Sequence, residues 1–299
     1  MKKNLLLLVA LALLGSFQLK SVKQRIFLIG DSTIAQKKAI DAPETGWGQP
    51  FQHLFTEAVE VHNHAVNGRS TKSFRTLGHW KTVWEQLQPG DYVFIQFGHN
   101  DSKESDSTRY AAPQTEYKKN LERYIREIQA KGAVPILVTP VMRRKFNDQG
   151  IFVDQHGEYP SVVRQIAAAQ NITLIDLHKS SQAIIEKQGV TGSKKMFMHY
   201  PGGIFPKFPK GIEDNTHFSP YGAQLIANAV AAELMSLTHP LRNFLRKSVY
   251  PSQYEYQLPV TYEPYFRKDT FAITRYGAVP DGQTLNTKAI QQAIDQASA

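Results

Sequence analysis

Residues 26–35 read IFLIGDSTIA: four apolar residues, then an abrupt change to glycine, aspartate, serine and threonine. A short apolar run that ends at a glycine predicts a buried strand followed by a turn. The turn accounts for Gly30, but it does not account for a serine that follows an acid. The position of Ser32 at a strand end therefore needs an explanation of its own.

Apolar runs of strand length recur along the chain and predict five strands. They lie at residues 25–30, 59–66, 91–98, 133–140 and 172–177. Several have continuous apolar cores, as expected of strands that are covered on both faces. Between the strands, apolar residues at helical spacing predict helices, the clearest at about 113–131 and 220–237.

This alternation predicts an α/β fold, a doubly wound, parallel, five-stranded sheet flanked by helices. In such sheets, ligands bind outside the carboxyl ends of the strands. Ser32 follows one of those ends, so the sequence predicts that it faces a binding site.

The composition is that of a globular protein, with 41% hydrophobic and 20% charged residues in a chain of 299. This length allows one large domain or two smaller ones. The formal net charge of +9 suits an acidic polymer, an anionic membrane or nucleic acid, but basic proteins also occur without such partners. The chain has no cysteine, which excludes disulfides, thiolate catalysis and a lipoprotein anchor.

The two ends of the chain differ from its middle. Residues 1–20 carry two lysines, an apolar run and small residues, which predicts a signal peptide and a protein exported to the periplasm or outside a bacterium. Residues 21–238 hold the predicted strands and helices. Residues 239–270 are rich in proline and tyrosine and predict a linker or strap. Residues 271–299 restart with a predicted short strand, a turn and an amphipathic helix.

Polar residues near the strand ends and before the last long helix suit serine-based ester hydrolysis. Such hydrolysis needs a base that accepts the hydroxyl proton and an acid that orients the base. His217 supplies a base for Ser32, and Asp214, three residues earlier, can fold back onto the same imidazole. The sequence predicts these three as the catalytic residues.

Three donors for an oxyanion are available in the same part of the predicted fold. They are the backbone N–H groups of Ser32 and Gly68 and the side-chain amide of Asn100. Each motif by itself is more often structural, because serine caps helices and Asn-Gly forms turns. Their combination at the strand ends favours an active site.

The same residues carry a family resemblance. The blocks GDSTIA, ETGWGQ, NGRSTKSF, FGHND and DNTHFS resemble the SGNH (GDSL-like) hydrolases and, within them, the rhamnogalacturonan acetylesterases, over about residues 24–238. The resemblance implies a flavodoxin-like three-layer sandwich. It also implies a secreted esterase that removes O-acetyl groups from a pectic polysaccharide through an acetyl-Ser32 intermediate. Two alternatives are a lipase or thioesterase of the same superfamily and a non-catalytic polysaccharide-binding module.

The last 29 residues carry a second resemblance. Residues 271–299 resemble the opening of β-helix pectinases such as polygalacturonases, which implies a possible fusion to a pectin-cleaving domain in a longer parent protein. A solenoid needs several stacked coils, and at most one fits here.

The positive charge and the implied substrate agree. Arg143, Arg144, Lys194 and Lys195 lie in segments expected near Ser32, where they can bind the carboxylates of an acidic polysaccharide. We expect no nucleic-acid partner and no stable membrane association. We also expect no cofactor and no metal, because neither His79 nor His99 has ligand neighbours at zinc spacing.

Overall fold

The computed structural model describes residues 23–246 and 270–298. The predicted signal peptide and most of the predicted linker lie outside these residues. By its internal contacts the chain divides into two compact units, Met1–Gln253 and Tyr254–Ala299.

The first unit contains a parallel five-stranded sheet in the order β2-β1-β3-β4-β5. The strands are β1 Gln24–Gly30, β2 Val59–Asn63, β3 Tyr92–Gln96, β4 Val134–Val138 and β5 Thr173–Ile175. This order is that of flavodoxin-like folds, in which the strand order reverses at β1: β2 lies on one side of β1, and β3, β4 and β5 follow on the other. The predicted fold class is confirmed. The four later strands end two or three residues before the predicted ends, because their last predicted residues belong to the turns that follow.

Helices cover both faces of the sheet. They are α1 Gly48–Phe51, α2 Thr71–Thr76, α3 His79–Gln86, α4 Lys118–Ala130, α5 Tyr159–Gln170, α6 Leu177–Gly192 and α7 Pro220–Ser236. The predicted helix at 113–131 consists of a π turn, Pro113–Tyr117, that continues into α4. Helix α6 is broken near its end at Gly189, where φ is +68°.

The side chains of β1 alternate between two hydrophobic cores. Ile26 and Leu28 are fully buried in the core that contains α7, and Phe27 and Ile29 in the core that contains α4. Burial of side chains of this size stabilises the fold by about 1.5–3 kcal/mol each. Because both faces of β1 are covered, the strand is fixed, and so is the turn that follows it.

A two-stranded antiparallel hairpin precedes α7. It consists of β6 Phe197–Pro201 and β7 Gly211–Phe218, and the sequence patterns did not predict it. The end of β7 is tied to the loop after β1 by a backbone bond from Thr45 N to Phe218 O of 3.0 Å. Ser219 then caps α7 by accepting a bond of 3.1 Å from Gly222 N. The hairpin thus reaches the end of the sheet where β1 terminates.

The second unit has a 3-10 turn at Ile273–Tyr276 and a helix, α8, at Thr287–Ser298. The predicted amphipathic helix is present, but the predicted short strand is wrong. Within residues 270–298 no strand is available to pair with it, and an isolated strand is not stable. Asn286 instead closes the connecting loop, bonding both the N–H and the carbonyl of Val279.

No helix in the described part of the chain is long and apolar enough to cross a membrane.

Candidate active site

The turn after β1 holds Ser32. Asp31 organises it, because its Oδ1 accepts bonds from Thr33 N at 2.9 Å and Thr33 Oγ1 at 2.8 Å. A side chain at Gly30 would place a Cβ 2.5 Å from the backbone oxygen of Gln96 on β3. Glycine is therefore required by the close approach of the neighbouring strand, and the chain can turn sharply enough to present Ser32 at the strand end.

The hairpin brings His217 to this serine. His217 Nε2 lies 2.9 Å from Ser32 Oγ, and His217 Nδ1 lies 2.6 Å from Asp214 Oδ2. The other oxygen of Asp214 accepts backbone bonds from Thr216 at 2.6 Å and from His217 at 3.0 Å. This local turn folds the acid back onto its own histidine.

The charge of Asp214 fixes the ring proton of His217 on Nδ1, the nitrogen that faces the carboxylate. Burial acts to raise the pKa of Asp214, but the bonds from the His217 ring and from the two backbone N–H groups outweigh it and lower the pKa to about 2. The carboxylate is ionised at neutral pH and accepts from Nδ1–H. The lone pair of His217 Nε2 is then left to accept the Ser32 proton.

The predicted oxyanion donors follow the two strands that flank β1. Gly68 lies in the loop after β2 with a φ of +73°, and Asn100 follows β3 and is 4% exposed. The side-chain amide of Asn100 donates a bond of 3.0 Å to Arg69 O. Because Arg69 is next to Gly68, this bond ties the two donor segments together. One N–H of the amide is used here, and the second is left for a ligand.

A second aspartate–histidine pair lies behind the serine. His99 Nδ1 is 3.1 Å from Asp31 Oδ2 and His99 Nε2 is 2.9 Å from Val141 O. Both side chains are buried, with 4% of His99 and none of Asp31 exposed. Burial acts to raise the pKa of Asp31, but the charge and hydrogen bond of His99 and the bonds from Thr33 lower it overall. Sequence spacing does not predict this pairing, because His99 and Asp31 are 68 positions apart.

Three further side chains form the one group of possible metal ligands among the described residues. In Asp154, His156 and His178 the candidate ligand atoms lie within 4.8 Å of one another. His156 Nδ1 is 3.0 Å from one oxygen of Asp154, and His178 Nε2 is 3.1 Å from the other. Zinc spacing at His79 and His99 does not predict this cluster, because only the fold brings His178 to Asp154 and His156.

The hydrogen-bond directions do not suit a metal ion at this cluster. A metal binds the lone pair of a histidine nitrogen, so that nitrogen must carry no proton. Arg164 donates to His178 Nδ1 at 3.2 Å, which places the ring proton on Nε2, a buried nitrogen without a hydrogen-bond partner among the described residues.

The same reasoning applies to His156. His99 Nε2 donates to Val141 O, so His156 Nε2, 3.2 Å away, accepts, and the proton of His156 is on Nδ1. Both nitrogens that face Asp154 therefore carry protons. Burial lowers the pKa of both rings, so each carries a single proton at neutral pH.

Asp101, next to Asn100, has a structural role in helix α2. Its Oδ1 accepts bonds from Thr71 N at 2.9 Å and from Thr71 Oγ1 at 2.5 Å, at the start of the helix. Its Oδ2 is buried and has no hydrogen-bond partner among the described residues. Burial, with a smaller contribution from the Asp31 charge, raises the pKa of Asp101 to about 7.

The four predicted substrate-binding cations differ in their surroundings. Arg143 is half-buried and donates a bond of 3.0 Å to His99 O. Lys194 and Lys195 are exposed in the turn before β6. Lys194 also borders a cavity of about 250 Å³ that His199 and Tyr200 help to line.

Arg144 departs from its prediction. Its guanidinium is bonded to Ser193 Oγ at 2.9 Å, to Asn215 Oδ1 at 2.8 Å and to Val190 O, and the residue is only 7% exposed. A substrate carboxylate would have to compete with all three bonds. The bond to Asn215 instead ties Arg144 to the hairpin that carries Asp214 and His217.

Comparison with known proteins places the chain among ester hydrolases. Residues 28–225 match the GDSL-like Lipase/Acylhydrolase family. The chain is 39% identical to rhamnogalacturonan acetylesterase RhgT of Bacillus subtilis strain 168 over 221 residues, which is 74% of this chain and 94% of the relative. It is 35% identical to the probable rhamnogalacturonan acetylesterase YesY of the same organism, covering 74% and 97% of the two chains.

Solved structures agree with this match. The crystal structure of the Bacillus subtilis protein YxiM aligns with a TM-score of 0.61 at 27% identity, covering 72% of this chain and 56% of that one. An acetylxylan esterase of Geobacillus stearothermophilus, Axe2, shares the fold at 19% identity with a TM-score of 0.52, covering 72% and 96%. The predicted enzyme class, a carboxylic-ester hydrolase, is confirmed by the family match, which spans most of the first unit. The chain belongs to the GDSL-like lipase/acylhydrolase family.

Proposed function

We propose that the protein removes O-acetyl groups from rhamnogalacturonan, an acidic pectic polysaccharide, through a covalent serine intermediate. The observation that carries the chemistry is the continuous relay from Asp214 through His217 to Ser32, with contacts of 2.6 and 2.9 Å. The names of the relatives RhgT and YesY support the choice of substrate.

In the first half of the reaction, Ser32 Oγ attacks the acetyl carbonyl carbon and its proton passes to His217 Nε2. Asp214 stabilises the imidazolium that forms. The negative charge that develops on the carbonyl oxygen is bound by the N–H groups of Ser32 and Gly68 and by the amide of Asn100. When this intermediate collapses, the bond to the sugar oxygen breaks, and that oxygen takes the proton from His217.

In the second half, water replaces the sugar. His217 accepts a proton from the water as its oxygen attacks the acetyl-Ser32 carbonyl carbon. The second tetrahedral intermediate uses the same three donors. Its collapse breaks the bond to Ser32 Oγ, which recovers its proton from His217 and releases acetate.

Three cations are proposed to attract the acidic backbone. Arg143 lies close enough to Asp31 and Asp214 for both charges to act on it: burial lowers the pKa of Arg143, and these two carboxylates oppose that effect. Its charge is thus held beside the relay, where a uronate carboxylate can approach. Lys194 and Lys195 are exposed in the turn before β6, where a polymer can contact them. Arg144 is left out of this set, because its guanidinium is bonded within the fold.

The substrate is tested by acetate release. We expect the purified protein to deacetylate rhamnogalacturonan much faster than acetylated xylan, and to cleave a short acetate ester but not a long-chain ester. Cleavage of the long-chain ester would favour a lipase or thioesterase. Polymer binding without hydrolysis of any ester would favour a binding module. Ser32→Ala controls for contaminating esterases.

Charge recognition is tested separately with salt. The kcat/KM on the acetylated polymer should fall as salt is added, while a small neutral acetate ester is barely affected. The variant with both Lys194→Ala and Lys195→Ala should lose part of this salt dependence. The exposed Lys187 provides the matched control variant, Lys187→Ala. Equal salt sensitivity of both substrates would contradict a role for these cations.

The boundaries of the chain's parts stay predictions. We propose that residues 21–238 form the esterase domain and that 271–299 begin a pectinase-like domain after the linker at 239–270. Deletion of 271–299 should then leave esterase activity unchanged. The proposed export is tested by the N-terminal sequence of protein recovered from outside the cytoplasm, which should lack about the first 20 residues.

A further inference from the structure

A buried lysine lies beneath the proposed oxyanion site. Lys37 is 7% exposed, although lysine is rarely buried to this extent without partners. Its Nζ donates to Ser32 O at 2.5 Å and to Asn67 Oδ1 at 2.7 Å, and it forms an ion pair with Glu44 Oε1 at 2.7 Å. Two donors of the ammonium group thus have hydrogen-bond acceptors, and its charge is paired with the Glu44 carboxylate.

The charge of Lys37 is compensated locally. The Glu44 side chain is itself largely buried, with 14% exposed, so the pair is held away from solvent screening. The backbone of the same segment is also fixed, since Gln49 Oε1 accepts from Lys37 N at 3.1 Å and from Gly46 N at 3.0 Å. The lysine is therefore held rigidly at both its backbone and its tip.

Both hydrogen-bond acceptors of Lys37 belong to the segments that carry the oxyanion donors. Ser32 O is the carbonyl of the nucleophile itself, whose own N–H is one donor. Asn67 directly precedes Gly68, whose N–H is another. One ammonium group therefore connects the turn after β1 to the loop after β2. Lys37 and Asn67 are 30 positions apart along the chain.

We propose that Lys37 is a positioning residue that sets the spacing between the Ser32 and Gly68 donors. This inference rests on the proposed catalytic role of Ser32. Oxyanion donors stabilise the transition state only when they lie at hydrogen-bond distance from the developing charge. A rigid, charge-assisted bridge between their two segments holds them there before substrate arrives. The hydrogen bonds of Lys37 Nζ go to Ser32 O and Asn67 Oδ1 and not to Ser32 Oγ.

The main test replaces Lys37 by methionine, an unbranched side chain that is one heavy atom shorter and lacks the three donors. We expect kcat on a small acetate ester to fall roughly 10- to 100-fold, as for misplaced catalytic groups, with KM nearly unchanged. The neighbouring Lys38 is exposed, so Lys38→Met is the matched control and should behave as the wild type.

A second readout separates positioning from general loss of stability. A boronic acid forms a tetrahedral adduct with the serine and occupies the oxyanion site, whereas acetate, the product, does not need that geometry. Lys37→Met should weaken boronate binding by about the same factor as kcat and leave acetate binding unchanged. A lower melting temperature with normal kcat and normal boronate affinity well below that temperature would overturn the proposal.

A double-mutant cycle tests the proposed bridge directly and does not depend on one variant. Asn67→Leu removes one acceptor of Lys37 and should lower kcat in the same direction but less. If the two side chains act through one bond, their effects on kcat will not be additive in the double variant. Should Lys37→Met fail to fold, the variant with both Lys37→Met and Glu44→Gln, which removes both charges of the buried ion pair, replaces it in the cycle. Additive effects would overturn the bridge, while an inactive wild type would contradict the proposed function instead.

Discussion

Two aspartate–histidine pairs lie on either side of the same serine and differ in almost every physical respect. In the pair of His217 and Asp214 the side chains are 30% and 27% exposed, and the outer nitrogen of the ring faces Ser32 Oγ. In the pair of His99 and Asp31 the side chains are buried, and both ring nitrogens are bonded to protein oxygens. The same pair of residue types thus occurs once in a partly exposed position and once in a buried one.

The difference shows what makes a histidine a base. A base needs a lone pair directed at the nucleophile and room for the proton to travel to a leaving group. His217 has both, whereas His99 has no nitrogen left to accept a proton from substrate. His99 instead holds the Asp31 side chain in place, and Asp31 in turn holds the turn that carries Ser32.

The largest expected effect comes from the relay that faces substrate. Ser32→Ala or His217→Ala should lower kcat roughly 10⁵- to 10⁶-fold, because the nucleophile or its base is removed. The melting temperature should change little, since neither substitution removes a side chain from the two hydrophobic cores. Turnover is measured with a small acetate ester, and wild-type turnover by Ser32→Ala would refute the mechanism.

The next effect concerns the oxyanion. Asn100→Ala should lower kcat by about 10²–10³-fold with little change in KM, because its amide binds the tetrahedral intermediate more strongly than the ester. Steady-state kinetics on the same ester check this. An increase in KM with normal kcat would assign Asn100 to substrate binding.

The buried pair should show its effect in stability. His99→Phe leaves the Asp31 charge buried without its partner, so the free energy of unfolding should fall by about 3–5 kcal/mol. The kcat of the folded protein should change far less than in His217→Ala. Denaturant unfolding measures the loss, and His53→Phe, at an exposed histidine, is the matched control. A loss of kcat as large as that of His217→Ala would end the distinction between the pairs.

A smaller effect is expected from acid. The pKa of Asp214 is lowered to about 2 in the folded protein from an ordinary value of 3.8, so its ionised form stabilises the native state. This contribution is fully present above the ordinary pKa and is lost as the pH falls toward 2. The difference in melting temperature between wild type and Asp214→Asn should shrink over that range. Asp148→Asn, at an exposed acid, is the control, and a difference that does not depend on pH would contradict the lowered pKa.

The smallest effect is expected from metal removal. Both ring nitrogens that face Asp154 carry protons, so a chelator should change neither kcat nor the melting temperature. Dialysis against a chelator followed by addition of zinc checks this. Stabilisation by zinc that is lost in His178→Ala would show that the cluster binds metal after all.

Much of the fold could be predicted because its signals are local. Five apolar runs mark the strands, and the polar residues that follow them mark the active edge. The hairpin β6–β7 was not predicted, because its strands are only partly buried and show no clear alternation. The residues of the candidate site were predicted from their types and short motifs. The cluster of Asp154, His156 and His178 was not, because it forms only when the chain folds.

The sequence by itself determined the parallel sheet, the family and the residues placed at the strand ends, since periodicity and short motifs require no knowledge of distant contacts. Only the tertiary structure decided that the side chains of His217 and Ser32, which the sequence predicts as base and nucleophile, lie in contact, because the two residues are 185 positions apart and meet through the hairpin. It also decided that Arg144 is bonded within the fold and that Lys37 lies beneath the serine. The physical reason is that the role of a charged side chain depends on its burial and partners, and these exist only once the sheet order has brought separate loops together.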